Sequence, residues 1–456
     1  MSTGHTVGMV GLGYVGLTTA AYFVSKKIKV VGVDVERGKI SMLSSGVVPI
    51  KEEGVEPLIR RALDSGEISF HSSYDSMDGC DVIFLTVGTP GLPGGAIDTS
   101  YVEAAAAEVG RRLKRMGEYP VVVVKSTVTP STTRAKVLPI LERESRLKCG
   151  GGFGLATNPE FLREGKALWD MTHPDAIVIG RVDSRSIGIM KSFYRKIYRR
   201  MPPFLVLDAV NAEFVKYGVN SFRAVQLSYI NTLADMCSRK EGARIDQVMK
   251  GLLLVTHIDR RYSRAGLGFG GSCLPKDTKA LISLARSLGV DESLLATAVK
   301  VNDGQAYEAI AMAEELIGSV RGKRVAILGL TFKSGTDDAR ESVGLRLAAK
   351  LSELGADVVA YDPGYRVDRY RKEGFRLAKG VGDCLRGAEC CIVTNEWDEF
   401  KELSPLVFKR YMKQPAVVDG RGLYDISGFA GAGVEVRRIG VGPQPVERNQ
   451  VGRTDA

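Results

Sequence analysis

The composition of the chain excludes several classes of protein. With 456 residues, 44% hydrophobic and 25% charged, it is long enough for about three globular domains. No apolar run reaches the about 20 residues of a transmembrane helix, and the N-terminus lacks a secretory pattern, so we expect a cytoplasmic protein without a membrane partner. The net charge of +10 is dispersed and only two Trp are present, which argues against a nucleic-acid partner and favours a small anionic ligand.

The N-terminal part of the chain alternates β-rich runs with helical stretches, which predicts a parallel sheet wrapped by helices. The predicted strands are Thr6–Val10, Val30–Val33, Val82–Thr86, Val121–Lys125, Gly154–Thr157 and Ala176–Ile179. A largely helical stretch follows, from about Ala209 to Ser319, and Asn211–Arg239 within it has the helical period of about 3.6 residues.

A second β-α-β pattern begins at Lys323. It has a helix over Glu341–Leu354 and strands at Arg324–Leu328, Asp357–Tyr361, Cys390–Thr394 and Ala416–Val418. Cys390 and Cys391 are adjacent in a strand and should point to opposite faces of the sheet. The seven cysteines show no metal-ligand spacing, so we predict no metal site and reduced thiols.

The predicted fold class is α/β, with two Rossmann-like domains joined by a helical central region. The expected boundaries are 1–205 for a dinucleotide-binding domain, 206–318 for the central region, 319–440 for the second Rossmann-like domain and 441–456 for a tail. The tail is rich in Pro, Gly and polar residues and is expected to be poorly ordered.

A nucleotide-binding turn is predicted where the first strand ends. Gly11, Gly13 and Gly16 form a G-x-G-x-x-G pattern between a strand and an apolar helix. Gly11 permits the tight turn, Gly13 lets the backbone approach a pyrophosphate, and Gly16 lets helix and strand pack closely. Asp34 ends the next strand, where a carboxylate binds ribose hydroxyls and disfavours a 2′-phosphate. The pattern predicts NAD as the cofactor, although Arg37 leaves NADP open.

A glycine-rich run, Gly266–Ser272, precedes Cys273. Glycine removes side chains where a ligand approaches the backbone, and Lys276 nearby would favour the thiolate. An ordinary small cysteine in a flexible loop is the alternative. Next to a nicotinamide, however, a cysteine can form a thiohemiacetal with an aldehyde and then a thioester that water hydrolyses.

Three further groups of polar residues have functional and ordinary interpretations. Glu160 and Glu164 are neighbours if their segment is helical, and two close carboxylates would raise the pKa of one of them; the alternative is a solvated acidic face. Lys216 and Asn220 share a face of an apolar helix, where Lys216 would be desolvated; the alternative is a solvent-facing lysine. The third group consists of cations that follow strands of the second domain and either bind a pyrophosphate or lie isolated on the surface: Lys333, Arg340 and Arg421.

Eight sequence blocks occur in one order over roughly residues 5 to 440. They are Gly11–Leu17, Thr86–Pro90, Lys125–Val128, Asn158–Gly165, Glu213–Lys216 with Asn220, Gly268–Asp277, Gly329–Lys333 and Asp419–Arg421. In these blocks the chain resembles the UDP-glucose/GDP-mannose dehydrogenase family. The resemblance implies an NAD-binding N-terminal domain, a dimer-forming helical middle and a C-terminal domain that holds UDP. It also implies a four-electron oxidation of UDP-glucose to UDP-glucuronate with two NAD.

The resemblance also implies roles for individual residues. Cys273 corresponds to the nucleophile, Lys216 to the lysine that stabilises oxyanions, Asn220 and Asp277 to a polar pair that positions water and substrate oxygen, Glu160 to the general base and Thr127 to a residue that orders water. The implied cofactor-binding residues are Gly11, Gly13, Tyr14, Val15, Gly16, Asp34, Arg37, Thr86, Pro90, Thr127, Glu164, Lys276 and Arg340. The implied substrate-binding residues are Glu160, Phe161, Leu162, Lys216, Asn220, Arg261, Phe269, Gly270, Phe332, Lys333 and Arg421.

Several alternatives remain open from the sequence. The segment from Arg261 to the glycine loop is shorter than in many relatives, so Arg260 is the alternative to Arg261 as an arginine that reaches a neighbouring subunit. The sugar could instead be UDP-N-acetylmannosamine, UDP-N-acetylglucosamine or GDP-mannose. A two-electron hydroxyacid dehydrogenase and a non-enzymatic nucleotide-binding protein are the rival functions. A homodimer or higher homo-oligomer is expected.

Overall fold

The structure is a computed structural model that describes residues 5–116, 118–256, 258–365, 367 and 374–443. The chain divides into two compact units, Met1–Val219 with Lys279–Val290 and Asn220–Thr278 with Asp291–Ala456. The fold class predicted from the sequence is confirmed: each unit contains a sheet built mainly of parallel strands, and long helices form the central region.

The first unit is built on an eight-stranded sheet with the order β3-β2-β1-β4-β5-β6-β7-β8. Its strands are β1 (Thr6–Val10), β2 (Lys29–Val33), β3 (Ile68–His71), β4 (Val82–Leu85), β5 (Val121–Val124), β6 (Gly154–Thr157), β7 (Ile177–Arg181) and β8 (Phe204–Asp208). Its helices are α1 (Tyr14–Ser25), α2 (Arg37–Ser44), α3 (Val55–Asp64), α4 (Ser100–Arg112), α5 (Leu138–Ser145), α6 (Ala167–Thr172) and α7 (Ser184–Ile197). A π-helical turn, Thr133–Val137, leads into α5.

The strands of this sheet are apolar because both faces are covered. In β5, Val121 and Val123 belong to one hydrophobic cluster, whereas Val122 and Val124 belong to another. The sheet is parallel as predicted except at one position, where β6 and β7 pair antiparallel, with Ala156 opposite Arg181. The connection between them, residues 158–176, contains α6.

Four helices form the central region: α8 (Ala209–Ser238), α9 (Ile245–Val255), α10 (Leu274–Ser287) and α11 (Ser293–Ile317). Both units include part of α8 and part of α10, because the boundaries between the units fall within these helices. Lys216 and Asn220 lie one turn apart on α8, as the sequence predicted. None of the helices in the described residues is long and apolar enough to cross a membrane.

The second unit contains a six-stranded parallel sheet with the order β11-β10-β9-β12-β13-β14. Its strands are β9 (Arg324–Leu328), β10 (Asp357–Tyr361), β11 (Arg376–Leu377), β12 (Cys390–Val393), β13 (Ala416–Asp419) and β14 (Glu435–Arg438). Its remaining helices are α12 (Val343–Glu353), α13 (Val381–Leu385), α14 (Asp398–Lys401), α15 (Pro405–Tyr411) and α16 (Ile426–Gly431). Cys390 and Cys391 belong to two different hydrophobic clusters, as expected for neighbours in a strand whose side chains point to opposite faces of the sheet.

The start of the predicted tail is ordered. Val441 forms an antiparallel bridge with Arg244, and the Gly442 amide donates to the carbonyl of Ala243. The backbone groups of Val441 and Gly442 thus pair with the segment between α8 and α9. The rest of the predicted tail, residues 444–456, lies outside the described residues.

Candidate active site

The glycine turn after β1 has the geometry that the sequence predicted. Gly11 has a φ of 93°, and a Cβ atom there would lie 2.7 Å from the amide nitrogen of Val87. A Cβ on Gly16 would lie 2.0 Å from the carbonyl oxygen of Gly11, so only glycine allows α1 to pack this close to the turn. Gly13 differs, because a Cβ there would meet nothing within 4 Å. The space beside Gly13 therefore fits a ligand that approaches the backbone at the N-terminus of α1.

Asp34 follows β2 and is tied into the same turn. Its Oδ2 accepts from the Leu12 amide at 2.8 Å and from Lys39 Nζ at 2.9 Å, and its Oδ1 accepts from the Glu36 amide at 3.0 Å. Burial alone would raise the pKa of Asp34, but Lys39 and the two amides outweigh it and lower the pKa. The carboxylate is therefore ionised, as a ribose-binding acid requires. The cation next to it is Lys39, which the sequence reading did not identify, whereas Arg37 is exposed.

Tyr14, at the start of α1, connects the turn to the segment that carries Glu164. Its hydroxyl donates to Glu52 and accepts from the Gly165 amide, and Glu52 also accepts from the Ala167 amide at 2.7 Å. Burial, followed by the hydrogen bond to Glu52, raises the pKa of Tyr14. Glu52 was missed from the sequence, since it lies in a polar loop with no motif. Val15 is the second residue of α1 and is half-buried.

Two more predicted cofactor residues follow β4. The Thr86 hydroxyl donates to the carbonyls of Val10 and Gly11, at 2.9 and 2.7 Å, and so fixes the glycine turn. Pro90 is exposed at the same carboxyl edge of the sheet. The Thr89 hydroxyl donates to the carbonyl of Thr127 at 2.8 Å and thereby joins the loops that follow β4 and β5. Carboxyl ends of parallel strands are where doubly wound sheets bind ligands.

Glu160 forms a buried ion pair with Lys216, with Nζ 2.9 Å from Oε1. Glu160 and Glu164 would be neighbours only in a helix, and the segment 158–166 is not helical, since α6 begins at Ala167. The rise in pKa that two close carboxylates would cause is not found at Glu160. Burial would raise its pKa, but Lys216, the Leu162 amide at 2.6 Å and the charge of Lys125 together lower it. Phe161 lies under the Lys216 ammonium at 5.5 Å.

In the second unit, Cys273 immediately precedes α10. All seven cysteines are described, and Cys273 is the exposed one. Lys276, which we expected to favour the thiolate, is instead bonded to Asp277 at 2.6 Å. The other carboxylate oxygen of Asp277 accepts from the Asn220 side chain, also at 2.6 Å, so the predicted polar pair is in contact. The N-terminus of α10 supplies a positive potential beside the thiol.

The glycines before Cys273 serve a different purpose from the one the sequence suggested. A Cβ on Gly270 would lie 2.3 Å from the carbonyl of Glu341, and one on Gly271 would lie 2.9 Å from the ring of Phe332. Asn302 holds Phe269 through two hydrogen bonds, at 2.7 and 3.1 Å. The chain's own atoms, and not ligand space, therefore require glycine at these positions. Asn302 lies in a long helix without a motif and was missed from the sequence.

Several arginines surround a cavity of about 660 Å³ in the second unit. It is lined by Arg260, Arg264, Arg421 and Arg438, with Lys250 and Asp246 among its other residues. Arg421 donates to the carbonyl of Thr394 at 2.6 Å, and burial lowers the pKa of its guanidinium, although Glu396 and Asp419 oppose this. Of the two arginines left open by the sequence, Arg260 lines the cavity and Arg261 pairs with Asp259 at 2.9 Å.

The two other predicted cations of this domain lie elsewhere. Arg340 pairs with Asp338, and Lys333 Nζ lies 5.4 Å from the centre of the Phe332 ring.

Asp362, which follows β10 as Asp34 follows β2, is saturated by donors of its own domain. They are the amides of Leu330, Thr331 and Gly364, the Thr331 hydroxyl and the side chains of Asn395 and Trp397.

These features define a dehydrogenase with one Rossmann-like domain built for NAD and a second one with an arginine-lined cavity. Among the described residues, no group of three or more His, Cys, Asp or Glu is placed to hold a metal ion.

Comparisons with known proteins agree with this class. The profile of the UDP-glucose/GDP-mannose dehydrogenase family matches in three parts: the NAD binding domain at residues 5–198, the central domain at residues 210–304 and the UDP binding domain at residues 326–426. The chain belongs to the UDP-glucose/GDP-mannose dehydrogenase family.

Individual relatives cover nearly the whole chain. UDP-glucose 6-dehydrogenase TuaD of Bacillus subtilis is 34% identical over 445 residues, which are 95% of this chain and 93% of the relative. The structure of a UDP-glucose dehydrogenase from Pyrobaculum islandicum is 37% identical, with a TM-score of 0.86 and 97% of each chain covered. The structure of a UDP-D-ManNAc dehydrogenase from Pyrococcus horikoshii is 26% identical, with a TM-score of 0.84, and covers 95% of this chain and 99% of that one.

Proposed function

We propose that the chain oxidises UDP-glucose to UDP-glucuronate with two NAD, through intermediates bound covalently to Cys273. The observation that carries the proposal is the exposed Cys273 at the N-terminus of α10, in a chain that belongs to a family of NAD-dependent dehydrogenases. In balance, the primary alcohol, water and two NAD⁺ give the carboxylate, two NADH and three protons.

NAD supplies the acceptor for hydride in both oxidations, and residues 1–205 are proposed to bind it. Gly13 leaves room for the pyrophosphate at the N-terminus of α1, and the ionised Asp34 accepts from the ribose hydroxyls. The pyrophosphate and the ribose of the cofactor would thus be held by residues that also form the glycine turn. The proposed assignment of residues 206–318 is the central region, and that of 319–440 is the UDP-binding domain.

The first oxidation gives an aldehyde, and the Cys273 sulfur adds to its carbon to form a thiohemiacetal. Loss of a second hydride from this carbon gives a thioester, which water hydrolyses with release of the thiol. Lys216, already paired with Glu160, is suited to stabilise the oxyanions by charge. Glu160 is proposed to take the proton of the attacking water, and Thr127, Asn220 and Asp277 to position oxygen atoms.

The UDP moiety is proposed to bind to the second Rossmann-like domain. A pyrophosphate carries negative charge, and the arginine-lined cavity offers guanidinium groups that bond phosphate oxygens bidentately. The half-buried Arg421 is the strongest candidate for this contact, because its orientation is already fixed by the carbonyl of Thr394. Arg260 is preferred over Arg261 because Arg260 lines the cavity, whereas Arg261 pairs with Asp259.

UDP-glucose is favoured as the sugar nucleotide by the comparisons. The relatives named as UDP-glucose dehydrogenases reach 34% and 37% identity, whereas the relative named for UDP-D-ManNAc reaches 26%. UDP-N-acetylmannosamine, UDP-N-acetylglucosamine and GDP-mannose remain the alternative substrates for the same chemistry. A cytoplasmic enzyme that works as a homodimer is also proposed.

The decisive experiment measures NADH formed per UDP-glucose consumed, by absorbance with limiting sugar nucleotide. We expect two NADH per sugar, and a Cys273→Ser variant should lose about 10³-fold in kcat because an alcohol is a weak nucleophile. Cys80→Ser, at a cysteine buried in a hydrophobic cluster of the first unit, is the matched control and should keep its activity. One NADH per sugar, or full activity in Cys273→Ser, would contradict the covalent mechanism. Two NADH with an N-acetylated or GDP-linked sugar alone would change the substrate and keep the chemistry.

A further inference from the structure

Lys125 follows β5 at the carboxyl edge of the first sheet, and its side chain is only 6% exposed. Within the described residues its ammonium has one hydrogen-bond partner, the Oδ1 of Asn158, at 3.2 Å. Asn158 is itself fixed, because its amide donates to the carbonyl of Val178 at 2.9 Å and Tyr194 donates to its Oδ1 at 2.5 Å. The Lys125 ammonium is therefore bonded to a side chain that two other hydrogen bonds anchor.

The charged groups around Lys125 do not balance. Glu160 and Lys216 neutralise each other at 2.9 Å, and Lys125 adds a second buried ammonium that interacts with both. Tyr194, the other titratable group near Asn158, stays neutral, since burial raises its pKa. Burying an ammonium without a carboxylate of its own costs folding free energy, and a neutral residue would be more stable there. The cost indicates that Lys125 acts on the pair beside it.

We propose that Lys125 is a positioning residue whose ammonium, fixed by Asn158, keeps the Glu160 carboxylate ionised beside Lys216. The proposal rests on the function proposed for Glu160 and Lys216. It adds a third group to the proton chemistry, one that acts through Glu160 and has no role in binding the sugar.

The charge of Lys125 is expected to change within the working range of pH. Burial lowers its pKa to about 8, with Glu160 opposing and Lys216 reinforcing the effect. Below this pH the ammonium supports the ionised Glu160. Above it the support is lost, and the pair keeps only Lys216 as a counter-charge.

The test compares pH profiles of kcat and KM in three variants. Lys125→Met removes charge and hydrogen bond, Lys125→Gln keeps a donor for Asn158 without the charge, and Lys125→Arg keeps the charge. We expect the acidic limb of kcat to move up by about one pH unit in the two neutral variants, so that their kcat is about tenfold below the wild type at the acid end of the profile and equals it near pH 9. KM for UDP-glucose should change less than about twofold. Lys125→Arg and the exposed control Lys148→Met should follow the wild-type profile.

A second measurement does not depend on turnover of UDP-glucose. The folded pKa of Lys125, about 8, lies below the ordinary value of 10.5, so the unfolded chain binds more protons between these values. The urea midpoint of the wild type, relative to Lys125→Met, should therefore rise as the pH increases from about 8 to about 10. A kcat loss in Lys125→Gln that is equal at every pH, or a flat difference in midpoints, would overturn the proposal. Absence of any NADH from UDP-glucose with the midpoint shift present would overturn the proposed function and leave the electrostatic role of Lys125 intact.

Discussion

Gly13 and Gly16 lie three residues apart in one turn, yet they meet different surroundings. The Cβ of an alanine at Gly16 would overlap the carbonyl oxygen of Gly11, whereas at Gly13 it would enter open space. The backbone of Gly13 has a φ of −80°, which any residue adopts. The fold therefore requires glycine at position 16 and does not require it at position 13.

This contrast predicts that binding and stability separate in two single variants. Gly13→Ala should keep the wild-type melting temperature but weaken NAD by about tenfold or more, because the methyl group occupies the space of the pyrophosphate. Gly16→Ala should lower the melting temperature by several degrees, because α1 must move away from the turn. Thermal melts and NAD titrations by calorimetry measure both effects. A Gly13→Ala variant that also melts several degrees lower, or that binds NAD as the wild type does, would contradict the assignment of Gly13 to the pyrophosphate site.

At the scale of single residues, the motifs could be predicted from the sequence, but the side chains that contact the motif residues could not. Asp34 could be assigned from its distance to the glycines, but Lys39 could not, because a lysine near an acid is common on surfaces. Glu160 was placed in the right block, yet its ionisation depends on Lys216, which is 56 residues away in the chain. Contacts over such distances are set by the fold and leave no local pattern.

At the scale of elements, Glu213 connects α8 to the segment after Thr127. Its carboxylate accepts from the amides of Ser131 and Thr133, at 2.7 and 2.9 Å, and from the Thr133 hydroxyl at 2.6 Å. Ser131 has a φ of 79°, a left-handed conformation that is costly for a residue with a side chain. The three hydrogen bonds to Glu213 hold this strained turn at the start of the π-helical segment.

Glu213 should make the stability of the wild type depend on pH. Burial raises its pKa to about 7 from 4.5, in spite of the donors from Thr133 and Ser131. The folded chain therefore binds more protons than the unfolded chain between these values, so the stability from this group is present below pH 4.5 and is lost as the pH rises through about 7. The urea midpoint of the wild type, relative to Glu213→Gln, should fall between about pH 5 and pH 8. A constant difference across this range would show that Glu213 does not titrate there.

The interior elements could be predicted from the sequence, and the edge strands could not. Strands such as β1, β6 and β9 are apolar runs buried on both faces, and their predicted bounds agree with the structure. The strands β3, β8, β11 and β14 were not predicted. All four lie at an edge of their sheet, and β11 has only two residues. The edge strands β11 and β14 carry charged residues, as loops do, and the apolar β8 leaves Leu205 and Val206 exposed.

At the scale of the whole molecule, the two Rossmann-like domains repeat one construction. Gly344 repeats the close contact of Gly16, since its Cβ would lie 2.1 Å from the carbonyl of Gly329. Thr394 donates to the carbonyls of Leu328 and Gly329 as Thr86 does to those of Val10 and Gly11. The second glycine turn was not predicted as such, because ten more residues separate its glycines.

An apolar stripe on α8 bears on the proposed homodimer. Phe222, Tyr229 and Met236 recur every seven residues and are 62%, 57% and 62% exposed. A stripe of this period is the pattern of a helix that packs against another helix, and a second copy of the chain supplies an identical one. We expect Tyr229→Glu to convert the dimer to a monomer in light scattering after gel filtration, and Tyr229→Phe to remain dimeric. A monomeric wild type, or a dimeric Tyr229→Glu, would contradict this interface.

The saturated carboxylate of Asp362 has a consequence for the timing of catalysis. Asp362 accepts from six donors of its own domain and Asp34 from only three, so we propose that one chain binds a single nicotinamide at a time, in the first domain. Removal of four electrons then requires the spent coenzyme to depart and a fresh one to arrive midway through each catalytic cycle. In the proposed mechanism the half-oxidised sugar must stay bound during that exchange without leaving as a free aldehyde, and the proposed bond to the Cys273 sulfur would hold it there.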